Sequence, residues 1–227
     1  KIFQELIRRG KVTAFGRDHR FTEISDYTSF KKNVPVRDYE GLSTYFNRTK
    51  SGEASVMWPG KPLYLAKTSG TTSGTKYIPI TGDSISNHIN ATRDALLSYI
   101  HETGNCRFLN GKMIFISGSP ALEKVNGILC GRLSGIVNHH VPGYLRTRQL
   151  PSYATNTIED WETKIDAIVN ETVHQDMRFI SGIPPWVQMY FDRLLEKSGK
   201  AVKDLFPNFD LFVYGGVNYE PYRKKLE

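Results

Sequence analysis

Nine consecutive residues, Thr68-Ser69-Gly70-Thr71-Thr72-Ser73-Gly74-Thr75-Lys76, bring together six hydroxyls, two glycines and one lysine. Glycine lets the backbone bend so that several N–H groups face one point, and such a nest binds anions. The hydroxyls add donors, and Lys76 adds a point charge. Together these are the parts of a cradle for a polyphosphate. A Ser/Thr/Gly-rich surface turn is the other reading of the same composition. The Walker A arrangement does not fit. It needs four residues between its glycines, then Lys and Ser/Thr in succession, and it opens a helix. Here three residues separate Gly70 from Gly74, Thr75 precedes Lys76, and the apolar run Tyr77-Ile78-Pro79-Ile80 follows.

The remaining chemistry-bearing residues are sparse. His139 and His140 are adjacent, and on a strand they would point to opposite faces, so they read as structural or surface groups. Cys106 and Cys130 match no zinc or redox spacing and suit a reduced, cytoplasmic setting. No metal-ligating set is visible. His88 reads as a surface histidine on a helix. Tyr214-Gly215-Gly216-Val217-Asn218 follows an apolar run, and its glycines leave room for a flat ligand; a plain strand-to-helix turn uses the same residues.

The elements that must position these groups alternate in type. Leu63-Tyr64-Leu65-Ala66 and residues 77–80 read as strands on either side of the nine-residue loop, so the loop joins strand to strand. The spacing of Ile85, Ile89, Thr92, Leu96 and Ile100 predicts a helix capped by Thr81 or Asp83. Met113-Ile114-Phe115-Ile116 reads as a buried strand that ends in Ser117-Gly118-Ser119-Pro120. Residues 126–141 are punctuated by glycine and ambiguous. A second helix carries Ile158, Trp161, Ile165, Ile168, Val169 and Val173. Residues 178–181 form a short strand. The helix after it has prolines in its first turn and an apolar face of Trp186, Met189, Tyr190 and Leu194. Residues 211–214 read as a buried strand. Upstream, residues 2–9 form a helix, and Asp38 caps a short helix through Tyr45. This alternation predicts an α/β fold with an at least partly parallel sheet.

The chain has 227 residues, 39% of them hydrophobic and 12% aromatic, which suits a globular protein. No apolar run approaches the length of a membrane span, and no signal-peptide segment opens the sequence. The net charge is +7. The basic residues are scattered over a solvated surface, which argues against nucleic-acid binding, while a mild positive bias favours anionic substrates such as ATP and carboxylates.

The loop resembles the phosphate loop of adenylate-forming enzymes, the superfamily of acyl-CoA synthetases and luciferases. The additional residue before Gly74 and the following Tyr77-Ile78-Pro79-Ile80-Thr81 resemble one branch, the auxin-responsive acyl acid–amido synthetases and their bacterial relatives. Trp58-Pro59-Gly60, Ser181-Gly182-Ile183-Pro184-Pro185-Trp186 and the Tyr214-Gly215-Gly216-Val217-Asn218 stretch are similar to that branch too, so the resemblance runs from about Phe15 to Arg223.

The resemblance implies that residues 1–227 are the incomplete N-terminal part of a large adenylation domain, with a mixed or partly parallel sheet and flanking helices. It implies ATP-dependent adenylation of a small carboxylic acid and transfer of the acyl group to an amino acid amine. Thr71, Thr72 and Lys76 would act on the reacting phosphates. Thr68, Ser69, Gly70, Ser73 and Gly74, with Gly215, Gly216 and Val217 against adenine, would hold the nucleotide. Ile183, Pro184 and Trp186 would wall the acyl group, and His88 would border the amine acceptor. Mg²⁺ would be held by a Glu beyond Glu227, where the ribose-binding Asp and a small C-terminal domain are also expected. The chain alone is therefore expected to bind ATP weakly and to lack activity. An acyl-CoA ligase, or a non-catalytic nucleotide- or acid-binding module, are the alternatives.

Overall fold

The alternation of strands and helices folds into two separate four-stranded sheets, where one sheet had been expected. The computed structural model describes residues 1–68 and 74–227. In chain order its helices are α1 (Ile2–Gly10), α2 (Ala14–Asp18), α3 (Tyr27–Asn33), α4 (Ser43–Lys50), α5 (Gly82–Thr103), α6 (Leu133–Asn138), α7 (Gly143–Arg146), α8 (Tyr153–Asn156), α9 (Trp161–Thr172), α10 (Pro184–Ser198), α11 (Val202–Leu205) and α12 (Glu220–Leu226). Its strands are β1 (Tyr64–Lys67), β2 (Tyr77–Ile80), β3 (Lys112–Ile116), β4 (Glu123–Val125), β5 (Ile128–Arg132), β6 (Gln149–Leu150), β7 (Met177–Gly182) and β8 (Leu211–Val213). The chain divides into two compact units, residues 1–88 with 122–136, and residues 89–121 with 137–227.

The first unit holds a mixed sheet of order β2-β1-β5-β4. β1 and β2 pair antiparallel, Tyr64 opposite Ile80 and Lys67 opposite Tyr77, so the expected strand–loop–strand is a hairpin. β5 pairs parallel to β1 on its other side. β4 and β5 are joined by Asn126-Gly127, both with positive φ (49° and 83°), the conformation that a two-residue hairpin turn of matching twist requires. Leu65, Ile128 and Cys130 form the buried apolar face, with Tyr77 and Val125 packed on it. A separate aromatic cluster ties the N-terminal helices together through Ile7, Phe21 and Ile24. α1 meets α2 closely: a Cβ on Gly16 would lie 2.0 Å from the Gly10 carbonyl oxygen, so only glycine fits there.

The second unit is built on a fully parallel sheet, β6-β3-β7-β8. Side chains alternate faces along a strand. Ile114, Ile116 and Ile180 accordingly enter the core with Ile165, Ile168 and Val169 of α9 and Val187, Tyr190 and Leu194 of α10. Met113 and Phe179 enter a second cluster with Phe108, on which Leu96 and Ile100 of α5 also pack. Helices on both faces are what a parallel sheet needs, since both faces are apolar. The Asp160 carboxylate accepts from the Thr163 N–H and caps α9.

Several local expectations are corrected. Residues 211–214 were expected to form a buried strand; β8 is paired only with β7, and its residues are half-buried or exposed. On α10 the buried face is Pro184, Val187, Tyr190 and Leu194, while Met189 is 37% exposed. Thr81, not Asp83, caps α5, through reciprocal bonds with Ser84 (Thr81 N–H to Ser84 Oγ, 2.9 Å; Ser84 N–H to Thr81 Oγ1, 3.1 Å). Asp38 accepts from the Gly41 N–H (2.8 Å), but the segment it opens is a single 3₁₀ turn, Glu40–Leu42, before α4. His139 and His140 lie in the turn after α6 and not on a strand, and the His139 ring bonds the Pro120 carbonyl oxygen at 2.8 Å.

Candidate functional site

The feet of the loop are fixed by backbone geometry. At the loop end of the β1–β2 hairpin the Thr68 N–H donates to the Lys76 carbonyl oxygen (3.0 Å), and the Lys76 N–H donates to Thr68 Oγ1 (3.3 Å). Five of the candidate phosphate-holding residues, Ser69, Gly70, Thr71, Thr72 and Ser73, lie outside the described residues. Gly74 is exposed, with φ +79° and no atom within 4 Å of where a Cβ would sit. Its neighbour Thr75 is exposed as well.

Lys76 is braced from the side. Its ammonium lies 4.0 Å from a Glu40 carboxylate oxygen and 5.0 Å from the centre of the Tyr39 ring, which leaves the side chain 31% exposed. The Tyr39 hydroxyl accepts from the Tyr77 N–H at 3.0 Å, and its ring stacks on Phe46 at 4.4 Å. Thus the 3₁₀ turn and α4, far upstream in sequence, hold the start of β2. Two more cations stand beside this hairpin end, Lys67 on β1 and Lys50 at the end of α4. Lys67 pairs with Glu123 at 2.5 Å, a hydrogen bond that raises its pKa above the ordinary value, and the Lys50 ammonium sits 3.9 Å from the Tyr77 ring centre. Three lysines thus gather at the hairpin end, two of them balanced by Glu40 and Glu123. His88 is half-buried on α5, one turn beyond Ser84.

In the second unit, β3, β7 and β8 end flush: Ile116 lies opposite Gly182, and Ser181 opposite Val213. The carboxyl edge of a parallel sheet is where α/β folds place ligands. At that edge the structure brings together two stretches distant in sequence. Ile183 is the N-cap of α10, with the prolines behind it, and Gly216 has φ +83°. A Cβ on Gly216 would stand 3.3 Å from Ile183 Cγ2, so the Gly215-Gly216 turn lies against Ile183. Gly215, Gly216 and Val217 are exposed. Tyr214 stacks on Tyr219 at 4.2 Å, an aromatic shelf beside the turn that sequence reasoning missed. Trp186 and Pro184 are placed differently. Trp186 is half-buried, packs on the core and meets the Trp161 ring at 4.9 Å, and Pro184 is buried.

Also missed was Lys164, 3% exposed on α9, whose ammonium donates to the carbonyl oxygens of Ser117 (3.1 Å) and Asn156 (2.7 Å). It anchors the loop that follows β3 at the same sheet edge. A lysine in the middle of an amphipathic helix reads as solvent-facing, so only its neighbours reveal it. Among the described residues no three His, Cys, Asp or Glu come together that could hold a metal ion. The Mg²⁺ ligand was expected beyond Glu227, outside these residues.

The profile of the GH3 family N-terminal domain matches residues 1–144. The chain belongs to the GH3 family. The match takes in the β1–β2 hairpin, its loop and all of the first unit. The indole-3-acetic acid-amido synthetase GH3.15 of Arabidopsis thaliana is 30% identical over 132 residues, which is 56% of this chain and 22% of that GH3 protein. Among solved structures, GH3.15 acyl acid amido synthetase superposes with a TM-score of 0.61 at 18% identity, over 85% of this chain and 35% of that one. AtGH3.15 acyl acid amido synthetase in complex with 2,4-DB gives 0.58 at 16%, over 89% and 39%. These structures share the mixed α/β fold. The chain thus spans about a fifth of the curated GH3 relative and a little over a third of the solved chains. Among the described residues no helix is long and apolar enough to cross a membrane.

Proposed function

We propose that this chain is the N-terminal part of the adenylating domain of an acyl acid–amido synthetase. Membership of the GH3 family, through a match that spans the hydroxyl- and glycine-rich loop, is the observation that carries this reading. A carboxylate is a poor electrophile. Its oxygen attacks the α-phosphorus of ATP, the bond to the bridging oxygen breaks, and pyrophosphate leaves. The amine of an amino acid then attacks the acyl carbon, and AMP leaves with the carboxylate's original oxygen. The substrates are a small carboxylic acid and an amino acid.

In this reading the protein's part is positioning and charge neutralisation, as in phosphoryl transfer generally. Backbone N–H groups and hydroxyls of residues 68–75 hold the phosphates, with Thr71 and Thr72 toward the reacting group. Lys76, at the loop end of the hairpin, supplies a charge that can leave Glu40 for a phosphate oxygen. Gly215, Gly216 and Val217 offer an exposed, side-chain-poor surface to adenine. Ile183 is the one member of the proposed acyl wall that adjoins this turn, and Trp186 supports it from the core side. His88 borders the amine. A divalent cation, with its ligand outside residues 1–227, would offset phosphate charge. The chain by itself adenylates slowly or not at all. Cys106 and Cys130, both free thiols, fit a reducing compartment such as the cytoplasm.

The test is pyrophosphate exchange into ATP across a panel of small apolar and aromatic acids, using the complete gene product that carries this sequence. Mass spectrometry of mixtures offered both an amino acid and coenzyme A completes it. Exchange together with an amide product is expected. A thioester without amide would replace the acceptor with coenzyme A, and no exchange with any acid would overturn adenylation.

A further inference from the structure

Trp58-Pro59-Gly60 has no part in the chemistry proposed above, yet Trp58 sits at a junction. Its indole N–H donates to Asp83 Oδ2 at 2.8 Å. The same oxygen accepts from Arg9 Nη2 at 2.5 Å, and the Arg9 guanidinium lies 5.0 Å from the centre of the Trp58 ring. Three side chains thus close on one another through a charge-assisted hydrogen bond, an indole hydrogen bond and a cation–π contact. The Asp83 carboxyl is held below its ordinary range, first by the Trp58 bond and then by Arg9.

The position of this clamp matters more than its strength. Trp58 precedes β1 and Asp83 follows β2, so the clamp joins both feet of the hairpin whose far end carries the loop. Between the feet, the Leu63 N–H donates to the Ile80 carbonyl oxygen at 2.9 Å. Buried Val56, Ile80 and Ile85 pack at the same end. Ile85 is the one residue of α5 that is buried among those described, and a cavity of about 330 Å³ opens beside Trp58, Pro79 and Asp83. The directional polar contacts of Arg9, Trp58 and Asp83 add to this packing in holding the two feet of the hairpin.

We propose that Asp83 is a positioning residue: through Trp58 and Arg9 it holds the feet of the β1–β2 hairpin and so fixes where Thr68 and Lys76, at its far end, stand. The functional arm of this proposal rests on the adenylation reading; the structural arm does not. The test compares Asp83→Ala, Asp83→Asn and Trp58→Phe in the complete gene product. Two readouts are taken: pyrophosphate exchange with ATP and acid varied separately, and amide hydrogen exchange over residues 64–80. Asp83→Ala is expected to lower kcat/KM for ATP by roughly 10- to 100-fold while the KM for the acid stays within about twofold, since a small misplacement of a positioning group falls on the step it positions. Amide exchange in the hairpin should quicken. Asp83→Asn keeps an acceptor for the indole and should recover part of both losses. Trp58→Phe keeps the ring under Arg9 and should show a smaller loss, which covers the case in which Asp83→Ala fails to fold. Unchanged kcat/KM for ATP with unchanged amide exchange in folded variants would overturn the proposal, as would equal losses for ATP and acid. If the unsubstituted protein shows no pyrophosphate exchange, the adenylation reading fails. Amide exchange then decides alone: faster in Asp83→Ala upholds the clamp, and unchanged overturns it.

Discussion

Thr71 and Thr72 carry the sharpest functional expectation at the scale of single residues. Replacing both with Ala in the complete gene product should cut pyrophosphate exchange by about 100-fold or more, the cost of removing preorganised donors from a charge-stabilising site. An unchanged rate would remove them from the mechanism. Gly216 makes a second, purely structural case. At φ +83° with Ile183 Cγ2 3.3 Å from a would-be Cβ, Gly216→Ala combines backbone strain with a tight contact. It should cost about 1–2 kcal/mol, read as a lower urea midpoint at unchanged m-value. The Gly216 turn was legible in the sequence because a Gly-Gly pair after an apolar run advertises itself by type. Lys164, Tyr219 and the Arg9–Trp58–Asp83 clamp were not. Lys164 and the clamp take their meaning from partners far along the chain, 47 residues away for Lys164 and Ser117 and 74 for Arg9 and Asp83, and Tyr219 from a turn that folds back on Tyr214; a local pattern carries no record of these. Trp186 shows the reverse. Both a pocket wall and core packing were open for it, and its half-buried place on the core, against Trp161, favours packing.

Among elements, α9 is the organising member of the parallel unit. Its Glu171 carboxylate accepts from the Ser152 N–H (2.7 Å) and the Ser152 and Thr155 hydroxyls, docking the start of α8. Burial pushes this carboxyl up, but the Ser152 and Thr155 hydrogen bonds outweigh it and leave the pKa below the ordinary 4.5. A depressed carboxylate contributes stability that is present above the unfolded value and lost as pH falls through the folded one. Stability should therefore decline as pH drops below about 4.5, and Glu171→Gln should flatten that decline in urea titrations run from neutral to acid pH. A steeper or identical acid limb in the variant would contradict this. The elements themselves were largely readable, since apolar periodicity marks both strands and helices. Two errors have clear physical causes. The face of α10 was misphased because Val187 and Met189 are both apolar and only burial separates them. The β4–β5 hairpin was overlooked although Asn126-Gly127 is a strong turn signal, because its strands are short and partly exposed.

For the molecule as a whole, the division into two sheets was invisible in the sequence. β1 pairs with β5 across more than sixty residues, whereas β3, which lies between them in the chain, belongs to the other sheet. Pairing partners of that kind are chosen by tertiary packing, not by local pattern. The net charge of +7, by contrast, follows directly from composition and has a measurable consequence. A cationic protein draws anions from a distance, and salt shortens that reach. The KM for ATP should rise severalfold between about 20 and 200 mM salt, while the KM for a zwitterionic amino acid stays nearly constant. Equal salt dependence of both would show that the scattered charges do not steer the nucleotide.

The Asn126-Gly127 turn also gives the protein a chemical clock. An asparagine followed by glycine is prone to attack by the glycine nitrogen on its own side-chain carbonyl carbon. Ammonia leaves, and the cyclic imide opens to aspartate or isoaspartate. In the folded hairpin the Asn126 amide is engaged, donating to the Lys50 carbonyl oxygen at 2.9 Å, and both turn residues are locked at positive φ. Ageing at this bond should therefore be slow in the native protein and fast once the hairpin opens. Once the amide has become an acid, its donor to Lys50 is gone and a negative charge faces that carbonyl, so the strands cannot close as before. Peptide mapping of samples stored in buffer and in mild denaturant would read this directly, with isoaspartate at position 126 accumulating in proportion to the time each molecule has spent unfolded.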